Sequence, residues 1–262
     1  MDPGLKTAAS GMAAQQTRID VIANNLANVN TPGFKRSRAH FEDLLYQTVQ
    51  GQQDLGTPES EVTASVQIGR GTRLSGIQRI HEQGTFEMTT RPMDLAIDGE
   101  GLFQVRRPDG TTAYTRDGSF SISDQGVIVT AGGYPVLPDM RVPEDMTSIA
   151  ISRTGIVSGT VSGQAEPFEV GRIELARFPN EPGLHALGEN LYAETAASGA
   201  PILGAAQEDG FGRIIQGALE SSNVEVVQEM VDMIAALRAY EINAKAVQAS
   251  EDMADVTNSM VR

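Results

Sequence analysis

Apolar residues recur every seven positions at both ends of the chain and every second position through its middle. Near the start, Leu5, Met12, Ile19 and Leu26 are seven apart, with Ile22 and Val29 on a companion seam. Near the end, Val226, Met233, Tyr240 and Val247 share that spacing, with Met230, Leu237 and Ala244 between them. Such a repeat marks the face of a helix that packs on another helix. Neither stripe has a local partner, so the pattern predicts that the two terminal helices pair with each other. Asp2 ahead of Pro3 predicts the first helix start. Asn24, Asn25 and Asn28 weaken that helix, and Thr31-Pro32-Gly33-Phe34 must end it, with Pro32 and Gly33 in a type II turn. A helix of about 25 residues is roughly 40 Å long. Ser222 and Glu225 have capping-box spacing, which predicts a last helix from Asn223 to about Met260, roughly 57 Å long.

Between the helices the period changes. Phe41, Leu44, Leu45 and Thr48 follow i, i+3, i+4, i+7 and predict a short second helix. The stretch 50–61 is polar with Gly and Pro, which predicts a loop or linker. From Val62 to about Phe178 the alternation predicts strands at 65–68, 73–79, 102–106, 113–115, 120–122, 127–130 and 171–178. Turn signals such as Pro108-Asp109-Gly110 and Asp117-Gly118 separate them. Dense turns between short strands predict an antiparallel β domain. Residues 179–218, rich in Gly, Ala and Pro, read as a return path to the starting end.

The composition admits a packed core, with 40% hydrophobic and 21% charged residues, and the net charge of −14 argues against nucleic acid and anionic membrane surfaces. No apolar run is long enough for a spanning helix, and the N-terminus shows no basic segment followed by an apolar one, so no cleaved signal is expected. The absence of cysteine excludes disulfides and thiolate chemistry. Charge is unevenly placed. Residues 1–40 carry Lys6, Arg18, Lys35, Arg36 and Arg38 against Asp2 and Asp20. Residues 219–262 carry eight carboxylates against Arg238, Lys245 and Arg262. Opposite signs at the two ends favour their pairing, within one chain or between copies.

Catalytic and metal signatures fail one by one. His81-Glu82-Gln83-Gly84-Thr85 begins like a zinc-protease helix but lacks a second histidine, and Gly84 breaks the helix that motif requires. Asp94, Asp98 and Glu100 do not have calcium-loop spacing and read as a polar strand-turn-strand. No nucleophile elbow or phosphate loop is present. No cofactor and no metal are expected. A chain of this kind reads as a building block of an assembly.

The stretch Ala23–Arg36, with Ser10-Gly11-Met12-Ala13-Ala14-Gln15-Gln16 ahead of it, resembles the signature of bacterial flagellar basal-body rod and hook proteins. Met93–Phe103, Tyr114–Phe120, Gly217–Ile234 and Arg238–Asn243 resemble further blocks of that family, so the similarity runs from end to end. The run Phe41–Thr48 and the polar stretch after it are most like the distal rod members. One departure is Lys6, where relatives often carry a bulky apolar residue.

The resemblance implies an α+β fold: N- and C-terminal heptad helices in a coiled-coil-like pair, a central antiparallel β domain and a small connecting domain. The expected boundaries are 1–30, 31–70, 71–218 and 219–262. It implies a structural subunit of the distal rod, not an enzyme, that polymerises through its terminal helices into a rigid shaft carrying torque to the hook. The interface residues would be the two stripes given above. Asn24, Asn25, Asn28, Thr31, Pro32, Gly33 and Phe34 would form the signature turn. Tyr46, Gln50, Gly51, Asp54, Pro58 and Glu61 would belong to a stretch that stiffens the rod. Implied partners are further copies, proximal rod subunits below, hook or hook-junction subunits above, the P- and L-ring proteins and the flagellar type III export apparatus, with neither nucleic acid nor membrane insertion. The rod would lie in the periplasm. A proximal rod subunit is the nearest alternative, and a cell-envelope hydrolase with helical arms is one of another class.

Overall fold

The structure, a computed structural model, describes residues 3–50, 66–143, 145–161 and 168–260. The chain is α+β and divides into two compact units. A helical unit gathers Met1–Leu26, Ser37–Gln78 and Val226–Arg262; a β unit gathers Ala27–Arg36 and Arg79–Glu225.

The helical unit contains α1, Pro3–Ala27, and α2, Val226–Met260. Pro3 opens α1, where its fixed φ and missing N–H are harmless; Asp2, the predicted cap, lies outside the described residues. The predicted capping box lies ahead of α2. The Ser222 hydroxyl instead accepts the Val224 N–H at 3.3 Å in the approach to the helix, and α2 starts with Val226. The predicted helix over 41–48 is replaced by two strands, Ser37–Asp43 and Gln47–Gln50. The first pairs with Thr72–Arg79 and the second with Val66–Ile68. Pairing with distant strands overrides a helical spacing that is only about two turns long.

The β unit is built on a six-stranded antiparallel sheet. Its order is His185–Gly188, Leu191–Ala193, Thr112–Thr115, Leu102–Arg106, Glu174–Arg177, Ile202–Ala205. A three-stranded sheet of Met146–Ile151, Ile156–Val161 and Phe168–Arg172 joins it, with two-stranded pairs at Leu95–Asp98 with Arg213–Gln216 and Phe86–Met88 with Ala218–Glu220. The return path predicted for residues 179–218 therefore contains strands that complete the sheets. The core packs Phe103, Phe120, Leu95, Ile97, Ile173 and Leu175, all at most 1% exposed. Phe103 and Phe120 meet edge to face, with centroids 5.0 Å apart. Asp94, Asp98 and Glu100 flank a strand-turn-strand as predicted, with Gly99 and Gly101 both at positive φ.

Candidate functional site

In the helical unit, α1 and α2 run antiparallel. As the residue number on α1 rises from Gly11 through Arg18 to Asn25, its partner on α2 falls from Asn243 through Asp232 to Glu229. Gly11 permits the close approach, because a Cβ there would lie 3.0 Å from the Asn243 amide nitrogen. Asn25, 1% exposed, locks the far end. Its amide donates to the Ser37 carbonyl at 2.9 Å and to Glu229 Oε2 at 3.2 Å, and its oxygen accepts the Ser37 N–H at 2.8 Å. Asn25 is expected to weaken the helix and to join the signature turn; it lies inside α1, where burial turns its competing hydrogen bonds into a clasp. Arg18 bridges Asp232 at 3.0 Å, but both are more than a third exposed, so the pair contributes no more than about 1 kcal/mol.

The predicted stripes divide between two faces. On α1, Ile22 is buried, and Leu5, Met12, Ile19 and Leu26 are partly buried; Val29, predicted for the same helix, lies beyond its end in the following turn. On α2, the covered positions are Glu229 and Ala236, with Met233, Ala244 and Val247 partly buried. Val226, Met230, Leu237 and Tyr240, predicted for the same seam, are exposed. They join Val227, Val231, Ile234 and Ile242, exposed by up to 77%, in a second apolar stripe on α2. The covered face of α2 thus mixes small, polar and some apolar residues, and most of its large apolar side chains are exposed. Exposed large apolar side chains grouped along one helix are candidates for an interaction surface.

Of the stretch predicted to stiffen a rod, Tyr46 is 57% exposed and Gln50 closes the strand Gln47–Gln50. Gly51, Asp54, Pro58 and Glu61 lie outside the described residues.

In the β unit, Thr31-Pro32-Gly33-Phe34 forms a turn, while Asn24 and Asn25 of the predicted signature lie inside α1. The Phe34 N–H donates to the Thr31 carbonyl at 3.2 Å, and Gly33 has φ +69. Asn28 accepts the Thr31 hydroxyl at 3.2 Å, and Pro32 accepts the Asn190 amide at 3.3 Å. Asn24 is an exposed residue near the end of α1. A Cβ on Gly33 would lie 2.7 Å from the Asp117 backbone nitrogen, so this position also needs glycine for space.

The turn delivers Lys35 to a buried ionic cluster that sequence reasoning missed. Glu220, with a side chain 0% exposed, receives Lys35 Nζ at 2.6 Å, Arg116 Nε at 2.5 Å and the Gly84 N–H at 2.9 Å. Lys35 also donates to the Glu82 carbonyl, and Arg116 to the carbonyls of Ile97, Gly99 and Gly101. Burial alone raises the Glu220 carboxyl, but Arg116 and Lys35 outweigh it and hold the group below its usual range. Burial lowers Lys35, and the Arg116 guanidinium adds to the effect. Charge tallies had assigned Lys35 and Glu220 to the two helical ends; both are instead spent on this internal contact. All three residues lie in the sequence blocks that carry the family resemblance, which was the one signal available for them.

His81 lies over Tyr192, with ring centroids 5.7 Å apart, and its side chain is 8% exposed. Burial first, then the positive charges of Lys35, Arg79 and Arg116, lower its pKa from 6.5 to about 4. The folded state therefore binds the proton less tightly than the unfolded chain. Stability is full above pH 6.5 and falls as pH drops toward 4, by up to about 3 kcal/mol. Urea midpoints at pH 7 and 4.5 check this: His81→Gln is expected to remove most of the difference, and an unchanged difference would contradict it. Among the described residues no group of three or more His, Asp or Glu side chains is placed to hold a metal ion, and no helix is long and apolar enough to cross a membrane.

The sequence matches three family profiles. "Flagella basal body rod protein" covers residues 5–35, "Flagellar hook protein FlgE/F/G D1 domain" covers 96–159, and "Flagellar basal body rod FlgEFG protein C-terminal" covers 215–260. The chain is similar to "Flagellar basal-body rod protein FlgG" of Borreliella burgdorferi, with 51% identity over 98% of each chain. The proteins of that name from Caulobacter vibrioides and Bacillus subtilis are 48% and 40% identical, over 98% and 93% of each chain.

Proposed function

Because this chain belongs to the flagellar basal-body rod protein family, we propose that it is the subunit of the distal rod, polymerising through α1 and α2 into a stiff helical shaft that carries motor torque to the hook. The exposed apolar stripe of α2 carries the polymerisation reading. A helix of 35 residues is about 50 Å long, and large apolar side chains line its outward face from Val227 to Ile242. If the covering surface belongs to a different part of the next copy, the contact is heterologous and builds an open helix.

The distal assignment rests on the likeness of Phe41–Thr48, and of the polar stretch after it, to distal rod members. Tyr46, Gln50, Gly51, Asp54, Pro58 and Glu61 would then stiffen the shaft at the level of the connecting domain. The partners that follow are proximal rod subunits below, hook or hook-junction subunits above, the P- and L-ring proteins around it, and the type III apparatus that exports the chain into the periplasm. Electron microscopy of basal bodies carrying a tagged copy as the only source of this subunit tests the assignment. Label is expected along the hook-side part of the rod. Label confined to the motor-side part would favour a proximal subunit, and unlabelled rods would overturn the reading.

A further inference from the structure

The helical unit holds an open cavity of about 930 Å³, lined by the first turns of α1 and by residues of its strand pairs. Leu45, 88% exposed, and Ile68 supply apolar wall. Lys6, Arg70 and Arg73 line it together with Glu42 and Asp43. Glu42 is engaged by Arg73 at 2.5 Å, while Lys6 and Arg70 are in no ion pair among the described residues. Asp43 is likewise in no ion pair among the described residues, so the groove offers apolar surface beside a net excess of one cation.

α2 supplies the complementary surface. Gly11 and Asn243 are level in the antiparallel pair, α1 starts at Pro3 and α2 ends at Met260. At 1.5 Å per residue, α2 outreaches the start of α1 by about 13 Å. Its last turns place Met253, Val256 and Met260 on one stripe, exposed by 62%, 58% and 82%. Glu251, Asp252 and Asp255 flank that stripe, and residues 246–260 include neither Lys nor Arg. An acidic, apolar helix end matches a groove that is apolar with an excess of cations.

We infer that this groove receives the α2 end of a second copy of the chain. The inference rests on the polymer reading and adds a specific axial contact to it. Because groove and helix end are different surfaces, each copy uses both, and the contact repeats without closing. It also gives Lys6 a purpose. An apolar residue there would bring no charge, whereas the exposed Lys6 ammonium attracts carboxylates.

The cysteine-free chain suits a cross-linking test. Full-length Arg70→Cys with a large tag is mixed with untagged Asp255→Cys, rods are grown, and mild oxidant is added. Disulfide-linked heterodimers are expected at about tenfold the level given by Arg70→Cys with Glu241→Cys, a site on the middle of α2. Rods that form without that enrichment would overturn the groove contact while leaving the rod reading intact. A wild-type chain that forms no rods would remove the rod reading and the contact with it. As a second measure, Arg70→Glu is expected to raise the concentration needed for assembly about fivefold, and adding Asp255→Arg to return it toward wild type. No rescue would count against the pairing.

Discussion

Glu220→Gln is expected to cost the β unit about 3–5 kcal/mol, the range seen when one partner of a buried ionic cluster is removed. The carboxylate is fully enclosed and is contacted by both Lys35 and Arg116, and glutamine would leave two buried cations with no counter-charge. Lys35→Met combined with Glu220→Gln is expected to cost less than the sum of the two single changes, because the double variant no longer strands a lysine. Denaturant midpoints on the full chain measure both. Loss below 1 kcal/mol for Glu220→Gln would mean that water reaches the cluster and shares its charge.

The second large effect separates folding from assembly. Ile234→Asp with Leu237→Asp changes two exposed side chains on the outward stripe of α2. Exposed positions of this kind shift stability by about 0.5 kcal/mol or less. Rod formation is expected to be lost, with a drop of at least about a hundredfold in polymer at a given concentration, because two carboxylates would be buried without partners. Ala236→Leu should behave in the opposite way. Ala236 is 0% exposed, so a larger side chain there would force α1 and α2 apart and lower the stability of the monomer itself. Circular dichroism melts and sedimentation of each variant distinguish the two faces. Normal polymer from the double aspartate variant would exclude this stripe as an assembly surface.

The helices were legible in the sequence because each repeats its period over many turns and ends at a recognisable breaker. The strand Leu102–Arg106 was legible with its observed bounds, because it sits between glycine and a Pro-Asp-Gly turn. The helix expected over 41–48 failed because about two turns of correct spacing can arise by chance across two strands. The hairpin of Met146–Ile151 and Ile156–Val161 went unread, since Ser152–Gly155 lacks an Asn-Gly or Asp-Gly signal. Strands such as Ile202–Ala205 contain Gly and Ala and resemble a loop in composition. The period also marked both faces of α2 as apolar without showing which one faces α1. That choice is made by Gly11, Asn25 and Asn243, small or polar residues that carry little weight in an apolar pattern. The Lys35–Glu220–Arg116 cluster is wholly tertiary: each member reads as an ordinary surface charge until the fold brings them together.

The distances along the chain within that cluster have a consequence for how the protein is made. Lys35 and Glu220 are separated by 185 positions, and Arg116 and Glu220 by 104. A ribosome, which delivers the chain N-terminus first, presents both cations long before the carboxylate that neutralises them. Until residue 220 emerges, enclosing Lys35 and Arg116 would strand two charges, so a closed β unit is strongly disfavoured. Contacts this remote also slow folding intrinsically. The cluster thus disfavours closure of an incomplete β unit until nearly all of the chain is present.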